Sequence, residues 1–112
     1  MRYKLSVVPP GGGEVDWGFE VTCAIHVPRA GEYILVAVEN DDPDRSGAEA
    51  FLVRYATTFL KRTGAGENRV TETVVEVEPV RHPLQSKNHA AMCDRYDGHW
   101  GHPTKSFPES GY

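Results

Sequence analysis

Apolar residues recur at helical spacing in one stretch of the chain, residues 46–63. Ser46 and Glu49 have the spacing of a capping box, in which a hydroxyl and a carboxylate satisfy backbone amides at a helix start. Gly64 is a common helix stop. The pattern predicts one amphipathic helix over residues 46–63, and its apolar stripe is formed by Phe51, Leu52, Tyr55, Ala56 and Phe59.

Strand-like patterns occupy the rest of the first eighty residues. Alternating apolar and polar positions predict strands at residues 2–8, 19–27 and 69–80. Residues 33–39 are apolar on both faces, which is typical of a central strand rather than an edge strand. The short turn at residues 28–31 predicts an antiparallel hairpin between the second and third strands.

The predicted element order is β-β-β-α-β. It favours an α+β fold, a mostly antiparallel sheet of about four strands with one helix packed on one face. All thirteen valines precede residue 81, and Leu84 is the only branched aliphatic residue after it. We therefore expect a core domain over residues 1–80 and an irregular C-terminal arm over residues 81–112.

Composition narrows the functional classes. The chain has 112 residues and a formal net charge of -4, so it has no general attraction to nucleic acid or anionic lipid. No apolar run approaches the roughly 20 residues that span a bilayer. The first residues do not have the pattern of a secretory signal peptide. We expect a cytoplasmic protein without a membrane or nucleic-acid partner, and its oligomeric state is left open.

The two cysteines suggest different roles. Cys23 falls in the apolar register of the second predicted strand, which is typical of a small buried side chain. Cys93 has histidines nearby in sequence, so a nucleophilic thiol is one alternative. A disulfide between them is not expected in a reducing compartment.

An acidic turn precedes the predicted helix. Asp42 and Asp44 before Gly47 resemble the first half of an EF-hand loop. Val53 stands where the loop would need its closing glutamate, so we interpret the turn as solvated rather than calcium-binding.

The C-terminal arm holds four of the five histidines and the best candidate for a metal site. His89 and Cys93 are four residues apart, and His99 and His102 are three apart. Zinc prefers about four nitrogen or sulfur donors, often supplied as two close pairs. We predict a structural zinc on these four residues that orders the arm, with His82 as an alternative ligand. A solvated tail without metal is the competing interpretation.

The same cluster allows a catalytic alternative. A small metal-dependent hydrolase would use His89, His99 and His102 as ligands, with Asp94 or Asp97 as the base. The chain has no nucleophile elbow, phosphate-binding loop or His-Glu-x-x-His motif. We therefore predict no catalytic residues for the leading hypothesis.

That leading hypothesis is a non-enzymatic protein-binding or assembly module, either an accessory subunit or an inhibitor of a larger protein. It would dock through the C-terminal arm and an exposed sheet edge. Aromatic residues dominate the energy of many interfaces. The predicted partner-binding residues are Tyr96, Trp100, Phe107 and Tyr112.

Overall fold

The computed structural model describes residues 1–99 and 103–108, except for the side chain of His99. The elements are β1 (Tyr3–Val7), β2 (Trp17–Val21), β3 (Tyr33–Val38), β4 (Gly47–Arg62), β5 (Asn68–Val80) and α1 (Lys87–His99). The strands form one sheet in the order β2-β1-β5-β4-β3. β1 and β5 are parallel, and the other three pairings are antiparallel.

The predicted helix over residues 46–63 is wrong, because this stretch is the long strand β4. Its β-branched and aromatic residues suit a pleated sheet. Phe51 and Val53 point into the core and pair with β5. Ser46 caps no helix, since its hydroxyl donates to the Asn40 carbonyl at 2.5 Å and accepts from the Asn40 amide at 3.0 Å. The supposed capping box therefore closes the turn before β4.

The helix of the fold lies in the stretch predicted to be an irregular arm. Ser86 caps α1, because its hydroxyl accepts the backbone amide of His89 at 3.1 Å. The buried residues of α1 recur at helical spacing and are His89, Met92, Cys93 and Tyr96. The predicted α+β fold with about four mostly antiparallel strands is thus wrong, since the sheet is mixed, has five strands and lies against a later helix.

The predicted hairpin between the second and third strands is also wrong. β2 and β3 lie at opposite edges of the sheet, so residues 22–32 must cross it. Ala24 and Val27 of this crossing pack against the core cluster. Cys23 is exposed with a φ of 58°, so it lies in a loop rather than a buried strand.

One face of the sheet carries the core, and α1 packs on that face. Tyr96 is 2% exposed, and its hydroxyl donates to the Asp16 carboxylate at 2.5 Å. Burial raises the pKa of Tyr96, and the hydrogen bond to Asp16 raises it further. The core cluster consists of Tyr3, Leu5, Val7, Phe51, Val53, Val75, Val77, Met92 and Tyr96.

The outer halves of β4 and β5 extend beyond the other strands. Pairing with β1 stops at Val74, so residues 58–62 and 68–73 pair only with each other. We call this two-stranded extension the ribbon. Phe59, Leu60 and Val70 of the ribbon are exposed, and the molecule measures 52 × 33 × 28 Å. Within the described ranges, no helix is long and apolar enough to cross a membrane.

Candidate functional site

The residues predicted to bind zinc do not form a common site in the part of the chain that the structure describes. His89 and Cys93 lie one turn apart on α1 and are both buried. His99 ends the same helix, ten residues after His89, and this places the two backbones about 15 Å apart along the axis. The His89 imidazole is buried against the sheet, and the side chain of His99 is not described. His102 lies outside the described residues.

His89 has a structural partner in the sheet instead. Its Nε2 atom is 2.8 Å from the carbonyl oxygen of Val80 and 3.4 Å from the amide of Ala50. A carbonyl only accepts, so the shorter contact assigns the proton to Nε2. The Nδ1 atom is buried without a hydrogen-bond partner among the described residues. His89 thus ties α1 to β5 through its Nε2 atom.

The described residues contain no group of three or more His, Cys, Asp or Glu side chains close enough to hold a metal ion. His82 serves local structure, since its Nδ1 accepts the amide of Leu84 at 3.0 Å. The zinc site as a set of four ligands stays a prediction, because the His99 side chain and His102 are not described.

The groups proposed for catalysis are poorly disposed for it. Burial raises the pKa of the Cys93 thiol to about 11, which disfavours the nucleophilic thiolate. Arg81 lies 2.7 Å from Asp94 and 2.5 Å from Asp97. Hydrogen bonds from Arg81 and from the backbone of Thr104 lower the pKa of Asp97 to about 2, so this carboxylate is a weak base.

The four predicted partner-binding aromatics have different environments. Tyr96 is part of the core and is not accessible to a partner. Phe107 lies against the sheet, with its ring centroid 5.0 Å from that of Tyr33. The backbone near Phe107 pairs with Arg81, whose carbonyl accepts the Phe107 amide at 2.7 Å. Trp100 and Tyr112 lie outside the described residues.

The most open surface for a partner strand is the outer edge of β3. β3 is the last strand of the sheet and contains only uncharged apolar residues, Tyr-Ile-Leu-Val-Ala-Val. Tyr33 is 36% exposed and Leu35 is 50% exposed. The sequence predicted a central strand here, and that prediction is wrong.

The backbone groups of β3 alternate in direction. The Val53 amide donates to the Glu32 carbonyl at 2.8 Å, which fixes the hydrogen-bonding register of β3 with β4. By strand alternation, the amides and carbonyls of Ile34, Val36 and Val38 point toward β4. Those of the intervening residues point outward, and we define the β3 edge as the outward backbone and exposed side chains of Tyr33, Leu35 and Ala37.

The opposite edge of the sheet is protected. β2 contains Gly18 and Glu20, and Glu20 forms an ion pair with Arg2 at 3.2 Å. Charges and short length are the usual means by which edge strands avoid pairing with other chains. β3 has neither a charge nor a proline, so the two edges differ in their readiness to accept a strand.

Charged groups flank the β3 edge unequally. At its start, the Glu32 carboxylate accepts the Arg29 amide at 3.0 Å and lies 3.9 Å from His26. At its end, Glu39 and Asp41 are exposed. Neither carboxylate has an ion-pair partner within residues 1–99 and 103–108. The end of β3 therefore carries uncompensated negative charge.

A cleft of about 650 Å³ lies between the ribbon and the start of β1. Its walls include Lys4, Phe19 and Glu72, together with the Arg2–Glu20 ion pair. Charges of both signs mix with apolar surface there.

Comparison with known proteins finds no matching family model, curated protein or solved structure. The site must therefore be judged on its own geometry. The sequence indicated the apolar character of the β3 edge, since residues 33–39 are apolar on both faces. What the sequence did not show is that this strand has only one neighbour, β4, among the strands that the structure describes.

Proposed function

We propose that the chain is a non-enzymatic protein-binding module that accepts an extended segment of a partner at the β3 edge. The observation that carries this proposal is a strand of central-strand composition at the outer position of the sheet. Strand addition would satisfy the outward backbone groups of Tyr33, Leu35 and Ala37. It would also cover the exposed apolar side chain of Leu35.

A second copy of the chain is a poor occupant. Antiparallel pairing of two β3 edges would bring Glu39 of each copy close to Glu32 of the other. Parallel pairing would place Glu39 beside Glu39. Like charges at neighbouring positions destabilise a strand pair. The proposed occupant is therefore a segment of a different protein.

A protein partner is favoured over nucleic acid, because the net charge of -4 and the acidic turn beside β3 repel phosphate. We further propose that the module works in the cytoplasm. Both cysteines are free thiols, which persist in reducing compartments.

A peptide-display selection tests the proposed function. Random ten-residue peptides would be selected on the intact chain, and the enriched peptides measured by titration calorimetry. We expect enriched sequences with alternating β-branched or apolar residues, as strand addition requires.

The decisive variant is Ala37→Pro, which removes one outward amide without touching the pairing of β3 with β4. Ala37→Thr is its matched control, because it changes the side chain but keeps the amide. We expect Ala37→Pro to weaken peptide binding about two- to twelvefold, the equivalent of one lost hydrogen bond, and Ala37→Thr to bind normally. A selection that enriches nothing, or peptides that bind both variants equally, would refute strand addition at β3.

A further inference from the structure

The carboxylates at the end of β3 indicate what kind of segment the edge accepts. Four carboxylates lie within six residues of sequence, on Glu39, Asp41, Asp42 and Asp44. The Asp42 carboxylate lies 3.7 Å from the Arg45 Nε atom, and the Asp44 carboxylate lies 3.2 Å from the Lys87 Nζ atom. Of these four residues, Glu39 and Asp41 follow β3 most closely in sequence, and these two have no ion pair in the described ranges. Their charge is therefore free to act on a strand at the β3 edge.

The turn that carries these carboxylates is held in place by hydrogen bonds. Ser46 bonds to both backbone groups of Asn40, and the Asn40 side chain accepts the Asp42 amide at 3.0 Å. Glu39, Asn40 and Asp41 form an open surface directly after β3. A strand added along β3 would pass this surface with its terminal residues.

Resting on the proposed function, we propose that the partner segment is an extended apolar strand with lysine or arginine at the end that lies beside Glu39 and Asp41. The apolar part matches the β3 edge, and the cationic end matches the two uncompensated carboxylates. The other end of the segment needs no such charge, because Glu32 already lies near His26 and accepts the Arg29 amide. The charge difference between the ends of β3 would also fix the direction of the bound strand.

Three synthetic peptides test this inference. All contain the same run of alternating valine and threonine, followed by two lysines in the first peptide, preceded by two lysines in the second, and flanked by two glutamines in the third. Affinity is measured by fluorescence anisotropy at low and high salt. We expect one lysine peptide to bind about fivefold tighter than the glutamine peptide, since exposed ion pairs contribute modestly. This advantage should disappear at high salt.

Charge variants of the chain identify the carboxylates responsible. The double variant Glu39→Gln with Asp41→Asn should bind all three peptides alike. The control is Glu14→Gln with Glu72→Gln, which removes the same charge from exposed positions away from β3. We expect this control to keep the full preference for lysine.

The outcomes separate the two proposals. If all three peptides bind equally and Ala37→Pro weakens their binding, strand addition stands and the cationic end is refuted. If no peptide binds the native chain, or if Ala37→Pro leaves binding unchanged, both proposals fall. A lysine preference that survives Glu39→Gln with Asp41→Asn would also refute the assignment to this turn.

Discussion

In the structure, α1 completes the core through Tyr96. Replacing Tyr96 by alanine tests this packing. Tyr96 is 2% exposed and belongs to the central cluster, so its removal leaves a large cavity between α1 and the sheet. Truncation of a buried aromatic residue costs about 3–5 kcal/mol. The lost hydrogen bond to Asp16 adds little, because the Asp16 carboxylate is at the surface and regains water. We expect a loss of about 4 kcal/mol, a large part of the 5–15 kcal/mol that is typical of a domain.

The assay is urea unfolding followed by far-UV circular dichroism and by tryptophan fluorescence, to which Trp17 contributes from its position against the core. Tyr55→Ala is the matched control, since Tyr55 is 50% exposed and should cost under about 1 kcal/mol. Tyr96→Phe isolates the hydroxyl, and we expect a loss of less than about 1 kcal/mol, because the Asp16 carboxylate regains water. If Tyr96→Ala and Tyr55→Ala lowered the free energy of unfolding equally, the packing of α1 against the sheet would be refuted. The prediction of an irregular C-terminal arm would then be favoured.

Three further predictions concern buried polar groups. The Glu78 carboxylate is 1% exposed; burial alone would raise its pKa, but the Gly11 amide, Lys105 and Arg54 lower it overall. Because the pKa of Glu78 is lower in the folded chain than the value of about 4.3 in the unfolded chain, its ionised carboxylate stabilises the fold above that pH. We therefore expect the stability of the fold to decrease below about pH 4.5. Thermal melts of Glu78→Gln should show a weaker dependence on pH. Cys23 should react rapidly with a thiol reagent, whereas buried Cys93 should react only on unfolding, so two fast thiols per native chain would contradict its burial. His89→Ala should lower stability by about 2–4 kcal/mol without changing the zinc content measured by mass spectrometry, and a loss of bound zinc in this variant would revive the predicted site.

The strands at residues 2–8, 33–39 and 69–80 could be predicted from alternation and composition, and all three are confirmed. The error at residues 46–63 has a physical source. A register shift between Val53 and Tyr55 interrupts the period-two pattern of β4, so apolar residues after it fall at helix-like intervals. Periodicity alone could not separate a bulged strand from a helix there.

The helix α1 was missed for a different reason. Its buried stripe includes His89 and Cys93, which are also metal ligands by type. The same spacing fits a pair of zinc ligands, but the recurrence of His89, Met92, Cys93 and Tyr96 is that of a packed helix face. The candidate site was half predictable, since the sequence shows that β3 is apolar but not that it lies at the edge of the described sheet.

The parallel pairing of β1 with β5 has a consequence for the order of folding. Leu5 pairs with Val75, so the centre of the sheet joins segments about seventy residues apart in the chain. A loop of this length must close, at a cost in chain entropy, before the contacts that it allows can form. We therefore expect slow folding, on the order of milliseconds to seconds. During synthesis, β3 and β4 are complete before β5 has been made. The apolar β3 edge is therefore exposed before the rest of the sheet can form. The nascent chain is therefore most exposed to wrong pairing at the strand that forms an outer edge of the finished sheet.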